Sequence, residues 1–235
     1  MYRKNIENCF ETDSNFEVIG IDNTKGGFTS AASALNYGAG KAAGDVLMFV
    51  HQDIVFDGLE DSGLFFNLVN KINDMEIIGV AGAKYPSKDT YTNMHMGTEG
   101  QEIYGAKIDG PTTADTVDEC LFCMKKETWE QFKLDEICCD SWHLYAVEIC
   151  LRMRANGGSV KIIPADGLRH TSMGELNFVY FRNLKELIKK YPDMKHIWTT
   201  CVKYDAAQKL FFPYNYSLTA AVKIVKAIKT HSHLV

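Results

Sequence analysis

Residues 45–53 read Asp-Val-Leu-Met-Phe-Val-His-Gln-Asp, an unbroken apolar run from Val46 to Val50 between a Gly-Asp turn and three polar side chains. A short, β-rich apolar run bounded by a turn is the pattern of a strand buried on both faces, as in a parallel sheet. In open α/β sheets, ligands gather beyond the carboxyl ends of such strands. His51, Gln52 and Asp53 stand at that end. A carboxylate and an imidazole there can hold a divalent metal, with Gln52 as a further polar contact. The plainer reading is a polar strand end entering a loop. Taken alone the stretch favours that reading; its flanks reverse the balance.

Outward from this strand, apolar runs alternate with helical spacing. Residues 2–12 carry Tyr2, Ile6 and Phe10 at helical intervals, and Phe16 to Asp22 predicts a strand ending in Asp22 and Asn23. Ser30 to Ala43 predicts a small-residue helix suited to close packing on a sheet. After the central strand come an amphipathic helix around Leu59 to Ile72 and a buried strand from Met75 to Ala83. From Tyr85 to Thr113 the pattern loosens into a stretch rich in Gly, Thr and Tyr, the mark of a hairpin excursion or a loop over a site. Thr116 to Lys125 predicts a strand, Glu127 to Phe132 a short helix, and Asp135 to Asp140 a loop. Trp142 to Asn156 is apolar almost all round and predicts a buried helix. Val160 to Pro164 is the last clear strand and leads to His170; Phe178 to Lys190 is helical and stops at Pro192. Strands alternating with helices predict an α/β fold, a mostly parallel sheet flanked by helices. Residues 1–235 read as a single domain with a helical C-terminal extension from about residue 176.

A chain of 235 residues is long enough for one such domain with a full core. Its 46% apolar and 23% charged residues are those of an ordinary globular protein. A net charge of −5 without a basic, aromatic patch argues against a nucleic-acid partner. No segment approaches the ~20 apolar residues of a membrane span, and MYRKNIENCFE is no signal peptide, so a cytoplasmic location is expected. Seven cysteines, an odd number, predict free thiols in a reducing compartment. Cys120 and Cys123 form a CxxC, with Cys138 and Cys139 behind it. Zinc needs a better second pair than two adjacent cysteines, and buried thiols are the favoured reading.

The run Ser30 to Phe56, SAASALNYGAGKAAGDVLMFVHQDIVF, resembles the segment of family 2 GT-A glycosyltransferases that reads A-x-N-x-G-x-x-x-A-x-G, then a strand, then Asp-x-Asp. Asn36, Gly38, Ala42 or Ala43, and Gly44 fill the first part. His51-Gln52-Asp53 stands in place of Asp-x-Asp, as in a subgroup that carries His-Gln-Asp. With the strand before it and the block from Asp135 to Gly174, the resemblance spans roughly residues 16–174. It implies a GT-A-like, Rossmann-related fold, here without the usual first strand, and an inverting transfer from a nucleotide sugar. It also implies a divalent cation, Mn²⁺ or Mg²⁺, offsetting charge on the leaving diphosphate.

The resemblance carries roles with it. Asp53, His51 and the late His170 in LRHTSMG would ligate the metal. Asp22 and Asn23 match positions that contact base and ribose, Asn36 and Gly38 would face the nucleotide, and His51, Gln52 and Asp53 would complete the donor pocket. The general base falls before or within WHLYAVEICLR: Glu148 matches the second acid of a pair whose first position holds Ala146, and Asp140 and His143 stand at the helix start. Each residue also has a plainer role. Asp22 suits a turn, His170 a core or cap, Asp140 an N-cap, and Glu148 a partner for Arg152 four residues on. Asp118, entering the strand before Cys120, is placed to line the acceptor side.

The expected partners are a nucleotide-sugar donor, a UDP-sugar foremost, and a saccharide or lipid-linked acceptor. The alternative is a catalytically inactive nucleotide-sugar-binding or partner protein of the same fold, which Ala146 and His51 encourage. The tail Ser217 to Lys229 has helical spacing, with Lys223, Lys226 and Lys229 at steps of three. It reads first as a helix packed on the domain. Weak contact with an anionic membrane surface is the other reading, at ~1 kcal/mol for each lysine.

Overall fold

The computed structural model describes residues 16–56, 63–97, 102–103, 105–172 and 176–208. The helices expected over residues 2–12 and 217–229 lie outside the described residues. The first half of the chain forms α1 (Ala31–Ala39), β1 (Val46–Val50), β2 (Ile54–Phe56), α2 (Gly63–Val69), β3 (Glu76–Gly79), β4 (Ala81–Ala83), β5 (Thr90–Thr92), β6 (His95–Met96) and β7 (Glu102–Ile103). The second half forms β8 (Thr112–Thr113), β9 (Thr116–Val117), β10 (Leu121–Lys125), α3 (Lys126–Phe132), α4 (Tyr145–Ala155), β11 (Ser159–Ile162), β12 (Leu168–His170), α5 (Phe178–Lys190), β13 (His196–Trp198) and β14 (Lys203–Asp205). The fold is mixed α/β. Among the described residues, no helix is long and apolar enough to cross a membrane.

The main sheet runs β1-β10-β3-β11-β8. Its apolar runs cover both faces. Leu47 and Phe49 of β1, Ile77 of β3 and Phe122 and Met124 of β10 pack with α1, α4 and α5. Ile78, Leu121 and Cys123 face the opposite way, onto Phe65 of α2 and onto β2 and β12. The second sheet, β2-β12-β6-β7, lies on that side.

The strand directions correct the expectation of a mostly parallel sheet. In the main sheet β11 and β3 are parallel, whereas β1 and β10, β10 and β3, and β11 and β8 are antiparallel. A parallel neighbour needs a crossover, usually a helix. Between β3 and β10 the chain instead makes a β excursion through β4 to β9, so β10 re-enters in the opposite sense. Glycines permit the turn into that excursion. A Cβ at Gly79 would sit 2.6 Å from the Val117 side chain, and one at Gly82 2.4 Å from the Thr116 carbonyl oxygen. Backbones that close belong only to glycine.

Phe16 to Asp22 forms no regular strand. It lies against α1, where a Cβ on Gly38 would meet the Ile21 side chain at 3.1 Å. Glu17 Oε1 accepts hydrogen bonds from Ala43 N and Gly44 N at 2.5 and 3.0 Å, anchoring the segment without a ladder. Cys120, just before β10, and Cys123 within it are buried in one apolar cluster. Burial pushes the Cys123 thiol up to about 12, which makes it inert at neutral pH.

Candidate metal centre

The end of β1 and the start of β2 are separated only by His51, Gln52 and Asp53. The His51 amide donates to the Cys120 carbonyl at 2.9 Å, fixing the turn to the main sheet. β2 pairs antiparallel with β12, with Ile54 opposite His170. The amide and hydroxyl of Thr171 both donate to the Asp53 carbonyl, at 2.9 and 3.0 Å. Residues 117 positions apart in sequence are thereby pinned side by side.

At this junction His51, Asp53 and His170 each present a ligand atom within 4.8 Å of the others. His170 Nε2 lies 3.0 Å from Asp53 Oδ2, and the Ser172 hydroxyl donates to the same oxygen. Asp53 Oδ1 is buried and has no hydrogen-bond partner among the described residues; His51 Nδ1 stands 3.8 Å from it, beyond hydrogen-bonding distance. Leaving a buried carboxylate oxygen unmatched is costly. One carboxylate oxygen and two imidazoles suit Mn²⁺ and related first-row divalent ions. The residues present therefore fit a divalent cation.

Burial and neighbouring charges set the electrostatics of the cluster. Burial disfavours the charged form of Asp53, but hydrogen bonds from His170 and Ser172 and the fields of His170 and His51 outweigh it and hold the carboxyl well below the usual range. Burial also opposes charge on His170, yet the Asp53 bond and the fields of Asp53 and Asp118 leave its imidazole raised. His51 is lowered, chiefly by burial, against the pull of Asp118 and Asp53.

The other face of His51 is held by α4. Its Nε2 is 2.8 Å from the Tyr145 hydroxyl, and Tyr145 is 1% exposed. Tyr145 opens the helix. The preceding residue, Leu144, takes a left-handed conformation at φ 67°, and its amide donates to Glu119 Oε1 at 2.6 Å. Burial and then the charge of Asp118 push the Glu119 carboxyl up to about 8. His143, half-buried, packs edge-on against Tyr180 with ring centroids 5.6 Å apart. Burial and the neighbouring His51 lower its imidazole. Asp118 accepts from the Cys120 amide and the Thr200 hydroxyl, and its field reaches the imidazoles of both His51 and His170.

The remaining sequence candidates occupy distinct places. Glu148 is fully buried, with Oε2 2.8 Å from Arg152 and Oε1 2.5 Å from Lys190 and 2.7 Å from the Tyr191 hydroxyl. Asp140 pairs with Arg182 at 2.5 Å and accepts from Asn183. Asn36 donates to the Leu134 carbonyl and Glu136, and accepts from Trp129 Nε1 and the Leu134 amide. Asp22 closes a local turn onto Thr24, and Asn23 closes a loop by two bonds to the Phe28 backbone. Gly38 meets Ile21, and Gln52 is exposed at the turn. Tyr145 and Glu119 were not legible in the sequence. Ser172 had a weak signal, two residues beyond His170; nothing in the pattern marks Tyr145 or Glu119.

No family model matches the chain, and no curated protein matches it in sequence. Among solved structures it is similar to GalNAc-T7 with UDP, GalNAc and Mn²⁺, at 13% identity and a TM-score of 0.47. The likeness covers 68% of this chain and 34% of that one, so this chain spans about a third of its neighbour's length.

Proposed function

We propose that this protein is a metal-dependent glycosyltransferase that moves a sugar, with inversion, from a nucleotide-sugar donor to a saccharide or lipid-linked acceptor. The observation that carries the reading is the buried, unmatched Asp53 Oδ1 flanked by His51 and His170 at the carboxyl end of β1. The sequence pattern from Ser30 to Asp53 supports a nucleotide diphosphate as the anion brought there. A divalent cation held by Asp53, His51 and His170 supplies charge neutralisation for the diphosphate. Asp22 and Asn23 are proposed to meet the base and ribose. Their loop leads into α1, whose Ala31 amide donates to Ser141 on the approach to Tyr145, at 3.0 Å. His143 is proposed to take the acceptor proton on an imidazole nitrogen. What supports it over Glu148 and Asp140 is that those carboxylates are committed to cationic partners, while the His143 ring has no ion pair among the described residues.

The same commitments favour a second reading, a nucleotide-sugar-binding protein without turnover. A nucleotide-release assay over a panel of nucleotide sugars, with and without Mn²⁺, separates the two. The transferase reading expects Mn²⁺-dependent release that falls at least about 100-fold in His143→Ala, the usual scale of a lost general base. Nucleotide-sugar binding without release supports the second reading. Neither binding nor release overturns both.

A further inference from the structure

We infer that Tyr145 positions His51, holding its imidazole with the proton on Nε2 so that Nδ1 is the nitrogen turned to the metal. The inference rests on the metal-dependent function proposed above and deepens it. An imidazole ligand is neutral and presents one lone pair, so whatever bonds its other nitrogen selects the tautomer.

Here the two nitrogens have different neighbours. Nε2 faces the Tyr145 hydroxyl at 2.8 Å, deep in the core, and cannot reach a metal while that contact stands. Nδ1 faces the unmatched Asp53 Oδ1 at 3.8 Å. That gap is too long for a hydrogen bond and admits an ion between the two atoms. Were Nδ1 protonated, its N–H would point at an oxygen it cannot satisfy, and the metal site would lose a ligand. With the proton on Nε2, that N–H donates to the Tyr145 oxygen and the Nδ1 lone pair joins Oδ1.

The mount is rigid. The Tyr145 ring packs against Phe122 of β10, with centroids 6.2 Å apart, and β10 is the strand next to β1. Leu144 fixes the helix start through its bond to Glu119. Tyr145 is thus a positioning residue that acts through His51. In place of a second carboxylate at the head of the metal motif, the chain uses a histidine whose orientation a buried phenol sets.

The test uses the full-length protein and Mn²⁺ alone. Long-range ¹H–¹⁵N spectra of the metal-free protein at about pH 8, where imidazole is neutral, report the His51 tautomer. Titration with Mn²⁺, followed by the paramagnetic signal of the free ion, reports affinity. The expected result is an Nε2-protonated His51 in the wild type. Tyr145→Phe, which keeps the ring, should give a mixture of tautomers and Mn²⁺ binding weaker by about 10- to 100-fold, the scale seen when a ligand loses its supporting bond. A wild-type His51 protonated on Nδ1 overturns the inference whether or not the variant folds. So does a folded Tyr145→Phe with Mn²⁺ affinity within about twofold of the wild type. A wild type with the expected tautomer that binds no Mn²⁺ overturns the metal-dependent function itself, and the ligand role of Nδ1 with it.

Discussion

Glu148 and Asp53 are both buried or half-buried carboxylates, and their partners separate what each does. Glu148 pairs with Arg152 on its own helix and ties α4 to the end of α5 through Lys190 and Tyr191. Removing one member of such a buried network strands the others, at a cost of about 3–5 kcal/mol. Glu148→Ala is therefore expected to lower the urea midpoint by that equivalent, read by circular dichroism; an unchanged midpoint would show the network to be dispensable. Asp53 instead keeps one oxygen without a partner among the described residues. At a Mn²⁺ concentration 100 times the dissociation constant, a bound ion stabilises the fold by about 2.7 kcal/mol. Asp53→Ala should abolish that gain in a thermal melt, and a melt still raised by Mn²⁺ would put the ion elsewhere. The sequence made Asp53 and Glu148 equally visible as acids. The pairing of Glu148 with Arg152, four residues on, was legible, but its bonds to Lys190 and Tyr191 were not, because they lie more than 40 positions away and share no pattern with it.

The continuous apolar run of β1 was legible because both its faces are covered: Leu47 and Phe49 are buried in one cluster, and the half-buried Val46, Met48 and Val50 pack against the other. The approach to α4 was less so. Trp142 to Asn156 is apolar enough to read as one helix, but α4 starts at Tyr145, because Leu144 is left-handed and takes its bond from Glu119. That offset sets which side chain reaches His51, and no local pattern marks Tyr145 as that residue. Likewise, Met75 to Ala83 read as one strand, yet it breaks between β3 and β4 where glycines let β9 cross closely. Gly82→Ala would drive a Cβ into the Thr116 carbonyl oxygen. A loss of about 1–3 kcal/mol, the range of overpacked sites, is expected in denaturant melts; a neutral substitution would mean that β4 and β9 part without cost.

At the scale of the whole molecule, the titration of Glu119 makes stability depend on pH. The Glu119 carboxyl rises from an ordinary 4.5 to about 8 on folding. A raised carboxyl favours the folded state fully below its unfolded value, and the advantage is lost as pH climbs toward the folded value. Stability from this group should thus decline between about pH 4.5 and pH 8 and then level off. Glu119→Gln should flatten that slope in urea melts, and an identical slope in the variant would contradict the assignment. At this scale the sequence foretold the α/β class and the order of most elements, because apolar periodicity is local. It missed the antiparallel return of β10, which depends on a long excursion that carries no helix. It also placed Asp53 and His170 together only by resemblance, since their meeting depends on the β2–β12 pairing. The central claim is that this meeting point holds a divalent cation for a nucleotide diphosphate. Anomalous diffraction from crystals grown with Mn²⁺ and a nucleoside diphosphate tests it most directly. The account predicts one peak bounded by Asp53 Oδ1, His51 Nδ1 and His170 Nε2, with the diphosphate against it; a peak away from these three atoms, or a bound nucleotide with none, would contradict it.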